Sequence, residues 1–436
     1  MSGVSPVLEL IFIDYIRFMK IKLLILFMAI CRIINAQTQP AQPATGYGGL
    51  ASTHSTVITF NCDDGATGFM LFIPASPHAD SLPLVVFDHG FGEWNPLRYG
   101  RWIDHIVKRG NIVIFPRYQL SEYTTLSTSF TSNAVTGILR AIDTLKMHPL
   151  WTQPELDKVF YIGHSYGGLI SANLATKHAA YNIPKPKAIL MACPGYGQYP
   201  GGQLSSYSPM DSSIFVLDIF ERYDNVVDST FALQVFNQTT AVPYSHKNLV
   251  IHFADSTGAS PVTSSHGEAP CIDSTYTNGD NGIVMAQAAY ANTDATDFYC
   301  YWKLFDALED CALTGSGCTI AFGDTYPQIY MGLWSNGIPV RPLEVRPHSV
   351  NTGINNIVAI ENIEIYPNPT NRVFNLQMSK FANVQIAIYD VMGEKVYSSI
   401  ITNQSSNINL EAPSGIYFLK ITNQDGSSAV KKIIKE

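Results

Sequence analysis

Along residues 56–341, short apolar runs alternate with stretches of helical spacing, and this alternation constrains the fold more than any other feature of the chain. "LPLVVFDHG", "NIVIFPRY", "KVFYIG", "PKAILMACPG", "SSIFVLDIF" and "KNLVIHFAD" each suit one buried strand and are too short for a helix. Between them lie "YGRWIDHIVKRG", which stops at Gly110, then "TSNAVTGILRAIDTLKMH", and a helix running to His178. "ATDFYCYWKLFDALEDCA" follows the last of these strands as an amphipathic helix. Strands apolar on both faces, separated by helices, predict a doubly wound, mainly parallel sheet of the α/β class. "STVITF" and "GFMLFIP" read as two further strands ahead of it. Ligands on such sheets bind beyond the carboxyl ends of the strands, so reactive residues are sought there.

The ends of the chain have a different character. Residues 1–36 read as a secretory signal segment. Lys20 and Lys22 precede a short apolar core that ends at Asn35-Ala36, and Met19 is an alternative start. A membrane anchor is the competing reading, but the apolar core is short for a span of ~20 residues. Residues 37–55 are rich in Gln, Pro, Gly and Thr and form a loose lead-in, and 342–362 read as a linker. Over 363–436, "IEIYPNPTNRVFNLQM", "VQIAIYDVMGEKVYSS", "INLEAPSGIYFLKITN" and "SSAVKKIIKE" alternate apolar and polar residues between turn signals. That pattern predicts a small all-β sandwich. It carries no cluster of His, Cys or carboxylates suited to chemistry.

With 46% hydrophobic and 14% charged residues, the chain can bury a large core. A net charge of -8 without a Lys/Arg run argues against nucleic acid as a partner. Export would permit disulfides among Cys62, Cys193, Cys271, Cys300, Cys311 and Cys318. Cys311 and Cys318 flank the Gly-rich "ALTGSG", where a local bridge is expected; for Cys62 and Cys193 the competing reading is a free buried thiol.

The chemistry centres on "YIGHSYGGLISANLATKH". Ser165 stands in G-x-S-x-G between an apolar strand and a helix, with Gly163 and Gly167 two positions to either side. A sharp strand-to-helix turn lifts such a hydroxyl above the sheet, and small flanking residues allow it. A serine hydroxyl needs a base, and the base needs an acid to fix its tautomer. "SSIFVLDIFERYDNVV" offers Asp218, Asp224 and Asp228. Asp218 lies inside the apolar run and reads as structural; Asp224, just past the strand, is expected as the acid, with Asp228 the alternative. For the base, His252 lies within a strand and His246 precedes it, whereas His266 sits in the Ser/Gly loop "STGASPVTSSHGEAP" and is expected to serve. An oxyanion would take backbone N–H groups from Tyr166 and, in "HGFGEW", from Phe91. His89 reads as a loop-shaping residue. Trp94, Tyr118, Tyr196 and Tyr199 are candidate wall residues for an apolar or aromatic part of a substrate. No metal or organic cofactor is required.

"FDHGFGE", "YIGHSYGG", "YDNVV" and "SSHGE" together resemble the α/β-hydrolase superfamily, in its dienelactone-hydrolase-like, chlorophyllase-like and polyester-hydrolase-like branch. The late helix with Trp302 fits as well. The resemblance implies a carboxylic-ester hydrolase using Ser165, Asp224 and His266 through an acyl-enzyme. Dienelactone hydrolases proper use cysteine, so Ser165 departs from them and lactone chemistry is not implied. A serine peptidase or acyltransferase on the same fold, or a non-catalytic surface-binding protein, are the alternatives. "IYPNPTNRVFNL", "IYDVMGEKVY" and "SGIYFLKI" resemble the C-terminal sorting domain of type IX secretion. That likeness implies recognition by the secretion machinery and a destination outside the cell or on its surface, reached through the periplasm.

Overall fold

The computed structural model describes residues 37–62, 65–120, 126–273, 292–346, 363–378, 384–390, 395–403, 405–422 and 428–436, with Met19, Lys20, Lys22 and Thr275 besides. The expected signal segment, apart from those three residues, and 347–362 of the expected linker lie outside the described residues. The chain divides into two compact units, Met1–Ser349 and Val350–Glu436.

The first unit is built on a nine-stranded sheet. Its strands are β1 (Thr56–Cys62), β2 (Phe69–Ser76), β3 (Ser81–Asp88), β4 (Ile112–Pro116), β5 (Gln153–His164), β6 (Ala188–Ala192), β7 (Phe215–Glu221), β8 (Lys247–His252) and β9 (Glu344–Arg346). They lie in the order β1-β2-β4-β3-β5-β6-β7-β8-β9. The run from β4 to β8 is parallel. β2 joins it antiparallel on one side and β9 on the other. β9 corrects the expected linker: residues 344–346 belong to the sheet, because Leu249 to Ile251 of β8 offer them an open edge.

Alternation sends successive side chains to opposite faces. Val85 and Phe87 of β3 meet Trp102, Ile103 and Ile106 of α1 (Gly100–Gly110), together with Leu304, Phe305 and Leu308 of α5 (Trp302–Thr314). Leu84 and Val86 face the other way. There they meet Phe130 and Ile138 of α2 (Phe130–Met147), Leu169 and Ile170 of α3 (Tyr166–Tyr181), and Phe231 and Val235 of α4 (Thr230–Gln238). With both faces covered, the central strands need no polar side, which is why they read as unbroken apolar runs. Cys311, in the last turn of α5, forms a disulfide with Cys318 just past the helix. Cys193, Cys271 and Cys300 are free, buried thiols, and Cys62 Sγ accepts from Arg140 at 3.4 Å. The lead-in at 37–55 has no regular structure but is docked, with Gln39 Nε2 donating to the Pro261 carbonyl at 2.9 Å. No helix among the described residues is long and apolar enough to cross a membrane.

The second unit is all-β. One sheet has the order β10-β11-β14 (Ile363–Tyr366, Val373–Met378, Ser405–Asn409). The other has β13-β12-β15-β16 (Lys395–Ile401, Val384–Tyr389, Gly415–Thr422, Ser428–Lys435). Phe374, Leu376, Ile386, Ile388, Leu419 and Ile421 fill its own core at every second position, with Asn375, Ala387 and Lys420 between them.

Candidate active site

β5 delivers Ser165 to the carboxyl end of the sheet. The strand ends at His164, α3 begins at Tyr166, and Ser165 between them has φ 56° and ψ -122°. Non-glycine residues rarely enter this region, and holding one there costs of order 1–3 kcal/mol. The turn is held by Ser165 N–H donating to Ala192 O at 2.8 Å, and by Ser165 O accepting from the N–H of Gly168 at 3.0 Å and of Gly195 at 3.1 Å. The bracketing glycines are dictated by space. A Cβ on Gly163 would lie 2.2 Å from Gly167 O, and one on Gly167 only 2.0 Å from Asp88 O. The close approach brings the start of α3 against the loop that leaves β3.

The loop after β7 carries Asp224, and the loop after β8 carries His266. His266 Nε2 lies 2.9 Å from Ser165 Oγ, and His266 Nδ1 lies 2.6 Å from Asp224 Oδ2. The other carboxylate oxygen of Asp224 accepts the N–H groups of Val226 at 2.8 Å and Val227 at 3.0 Å. Burial alone would raise the Asp224 pKa. The hydrogen bond and charge of His266 and the two amides outweigh it and bring the carboxyl below its ordinary value. The three side chains thus form one hydrogen-bonded line, in which a proton on Ser165 Oγ can pass to His266 while Asp224 holds Nδ1–H.

The alternatives are engaged elsewhere. Asp228 Oδ1 accepts the Thr230 N–H at 2.9 Å, at the start of α4. Asp218 is fully buried, has no hydrogen-bond partner for either oxygen among the described residues, and is pushed well above the carboxylate range by burial. His252 is fully buried with Nδ1 2.6 Å from Glu221 Oε2. His246 precedes β8 and stacks on Phe215 at 4.1 Å.

Among the described residues, the N–H groups of Phe91 and Tyr166 have no internal acceptor. The Tyr166 N–H is the first of α3, where the helix dipole favours negative charge. The Phe91 loop is braced by its neighbours: Gly92 N–H donates to Gln119 Oε1 at 2.7 Å, and Gly90 N–H to Tyr99 Oη at 2.9 Å. His89 lies between the carbonyls of Gly90 and Arg117, at 2.6 and 2.7 Å, a position that shapes the loop.

Two cavities meet at Ser165, of about 310 and about 750 Å³. Tyr196 lines the smaller, and Tyr199 and Phe91 line both. Two expected wall residues are not there. Tyr118 is fully buried, stacks on His89 at 3.9 Å and donates to the His89 carbonyl, so it supports the loop from below. Trp94 faces Arg117, whose guanidinium lies 4.2 Å over its ring, and lines neither cavity. Aromatic residues beside the loop were legible in the sequence; the direction each ring takes depends on what packs beneath it.

One buried network carries no signal in the sequence pattern. His164 Nε2–H donates to the His266 backbone carbonyl at 2.9 Å, and His164 Nδ1 lies 2.8 Å from Tyr99 Oη. Tyr99 donates to Glu93, whose other oxygen lies 3.1 Å from Arg98. Burial would raise Glu93. The Arg98 charge and the bonds from His164 and Tyr99 more than reverse this and hold it well below the carboxylate range. This anion ties the Phe91 loop, through Tyr99 and Gly90, to the loop of His266.

The fold and this strand-end serine place the first unit in the α/β-hydrolase class. Residues 48–204 match the family model of chlorophyllase, and residues 364–436 match that of the secretion system C-terminal sorting domain. Over the matched residues the first unit is thus similar to the chlorophyllase family of hydrolases, and the second is a type IX sorting domain that directs the chain to the cell surface or beyond. The chlorophyllase match includes Ser165 and ends before Asp224 and His266. No curated protein matches the chain.

Proposed function

We propose that the first unit hydrolyses carboxylic esters through Ser165, His266 and Asp224. The observation that carries this reading is the unbroken hydrogen-bonded line from Ser165 Oγ through His266 to Asp224, at the floor of two cavities. His266 takes the Ser165 proton as Oγ attacks the ester carbonyl. The developing oxyanion is met by the N–H groups of Phe91 and Tyr166, donors already fixed before the reaction. His266 returns the proton to the leaving alkoxide, and the alcohol departs from an acyl-Ser165. Water then gives a proton to His266 as its oxygen attacks the acyl carbonyl, and the carboxylic acid leaves as Ser165 regains its hydrogen. The partner implied on the substrate side is an ester with an apolar or aromatic part, since Phe91, Tyr196 and Tyr199 surround the serine. The sequence needs no metal or organic cofactor.

The test compares the parent protein with Ser165→Ala on p-nitrophenyl butyrate and on a matched p-nitroanilide. Loss of the serine should lower kcat by roughly a millionfold, as loss of the nucleophile does in serine hydrolases. Ester turnover that survives the substitution would refute the reading. Anilide cleavage as fast as ester cleavage would reassign the protein to the peptidases.

A further inference from the structure

We infer that the two cavities meeting at Ser165 divide an ester between them, a short or single-ring acyl group in the smaller and a bulky alcohol in the larger. The inference rests on the ester-hydrolase reading and adds the class of substrate. Phe91, Ser165, Tyr199, Asn225 and Val226 line both cavities and so form their common boundary. Phe91 and Tyr199 are stacked within it, ring centroids 3.8 Å apart and planes 9° from parallel. Rings in van der Waals contact leave no slot between them, so the pair is a wall, and a substrate that spans it passes by Ser165, which lines both sides.

The proton path decides which half of the ester goes where. The alkoxide leaves by taking the proton from His266 Nε2, so the ester's bridging oxygen must face that nitrogen. His266 lines only the 750 Å³ cavity, with Ser265 and Gly267 beside it. The alcohol therefore lies there, and the attacking water later enters by the space it vacates. The acyl group is left with the 310 Å³ cavity, whose own walls include Tyr166, Tyr196 and Val227. At the ~30 Å³ that one water occupies in the liquid, the smaller cavity accommodates an acyl group of about ten heavy atoms, and the larger about 25. Glu93 and Arg98, paired with each other, border the larger cavity beside Phe91, Tyr199 and Val226, and tyrosine rings, a valine and Gln198 border the smaller.

Two ester series measured on the full chain test the division, with kcat/KM followed by acid release. In one, the acyl group grows from acetyl through butanoyl and benzoyl to dodecanoyl on a constant ethyl alcohol. In the other, butanoyl is held constant while the alcohol grows from methanol to 1-pyrenemethanol. The expected result is a fall of at least about tenfold from butanoyl to dodecanoyl, with the pyrenylmethyl ester hydrolysed as fast as the methyl ester or faster. Tyr196→Ala, and separately Val227→Ala, should raise the dodecanoyl-to-butanoyl ratio by enlarging the smaller cavity. A dodecanoyl ester preferred by the parent, or a pyrenylmethyl ester disfavoured about tenfold against methyl, would overturn the division while leaving the esterase reading standing. Failure to hydrolyse any ester faster than Ser165→Ala would overturn both.

Discussion

Asp224→Asn exchanges one carboxylate oxygen for an NH2 group, and the hydrogen bonds around it decide which oxygen is lost. Asp224 Oδ1 receives the N–H groups of Val226 and Val227, so the oxygen of an asparagine must take that position. Its NH2 then occupies the place of Oδ2, 2.6 Å from His266 Nδ1. Two donors cannot face each other, so Nδ1 must become the acceptor and the imidazole proton moves to Nε2. That nitrogen lies 2.9 Å from Ser165 Oγ and would now present an N–H where a lone pair is needed. The base is silenced by its tautomer while the loop keeps its backbone bonds. Such a reversal costs about four orders of magnitude in kcat, or ~5.4 kcal/mol at 1.36 kcal/mol per tenfold. Asp228→Asn serves as the control, because its oxygen accepts the Thr230 N–H and touches nothing in the site. The assay is kcat on p-nitrophenyl butyrate for both variants, with the melting temperature read alongside. A loss below about tenfold for Asp224→Asn, or equal losses in the two variants, would refute the tautomer argument.

Glu93→Gln removes the anion that links the Phe91 loop to the backbone of His266, and it should lower kcat per active site by about tenfold to a hundredfold at little change in KM, since small displacements of reacting groups cost that much. Titration of active sites with a phosphonate separates this from misfolding, and a loss that appears only in the titrated fraction would make Glu93 merely structural. Asp88, whose carboxyl burial pushes up to about 8 against the hydrogen bond from Ser171, gives a pH effect of definite sign. The folded protein keeps this proton up to about pH 8, whereas the unfolded chain releases it near the ordinary aspartate value of 3.8. Its contribution to stability is therefore full below the unfolded pKa and falls as pH rises towards 8, by up to about 1.36 kcal/mol per pH unit. Asp88→Asn should flatten the dependence of melting temperature on pH between 5 and 8, and identical slopes in parent and variant would show Asp88 ionised in the fold.

Local pattern alone determined the alternation of strands and helices, because a strand covered on both faces must be apolar throughout. The strained turn at Ser165 was legible for a similar reason: only glycine fits at 163 and 167 when backbone oxygens come within 2.2 Å of where a Cβ would be. The order of serine, aspartate and histidine follows from which strand each residue succeeds. The sequence favours Asp224 over Asp228 from its place just past the strand, but both carboxylates lie in one loop, and the packing that turns the first towards His266, with the amides of Val226 and Val227 on its other oxygen, is tertiary. The same holds for Tyr118 and Trp94, whose directions are set by His89 and Arg117 packed against them. Glu93 and Tyr99, six residues apart in the segment after β3, meet His164 only when β5 lies beside β3 in the sheet. β9, the strand at the edge of β8, lies far along the chain from its partner and is too short to show a period of its own. A residue's immediate neighbours in sequence fix its backbone and burial, whereas the partner of a buried charge is whatever the packed elements bring within hydrogen-bonding reach.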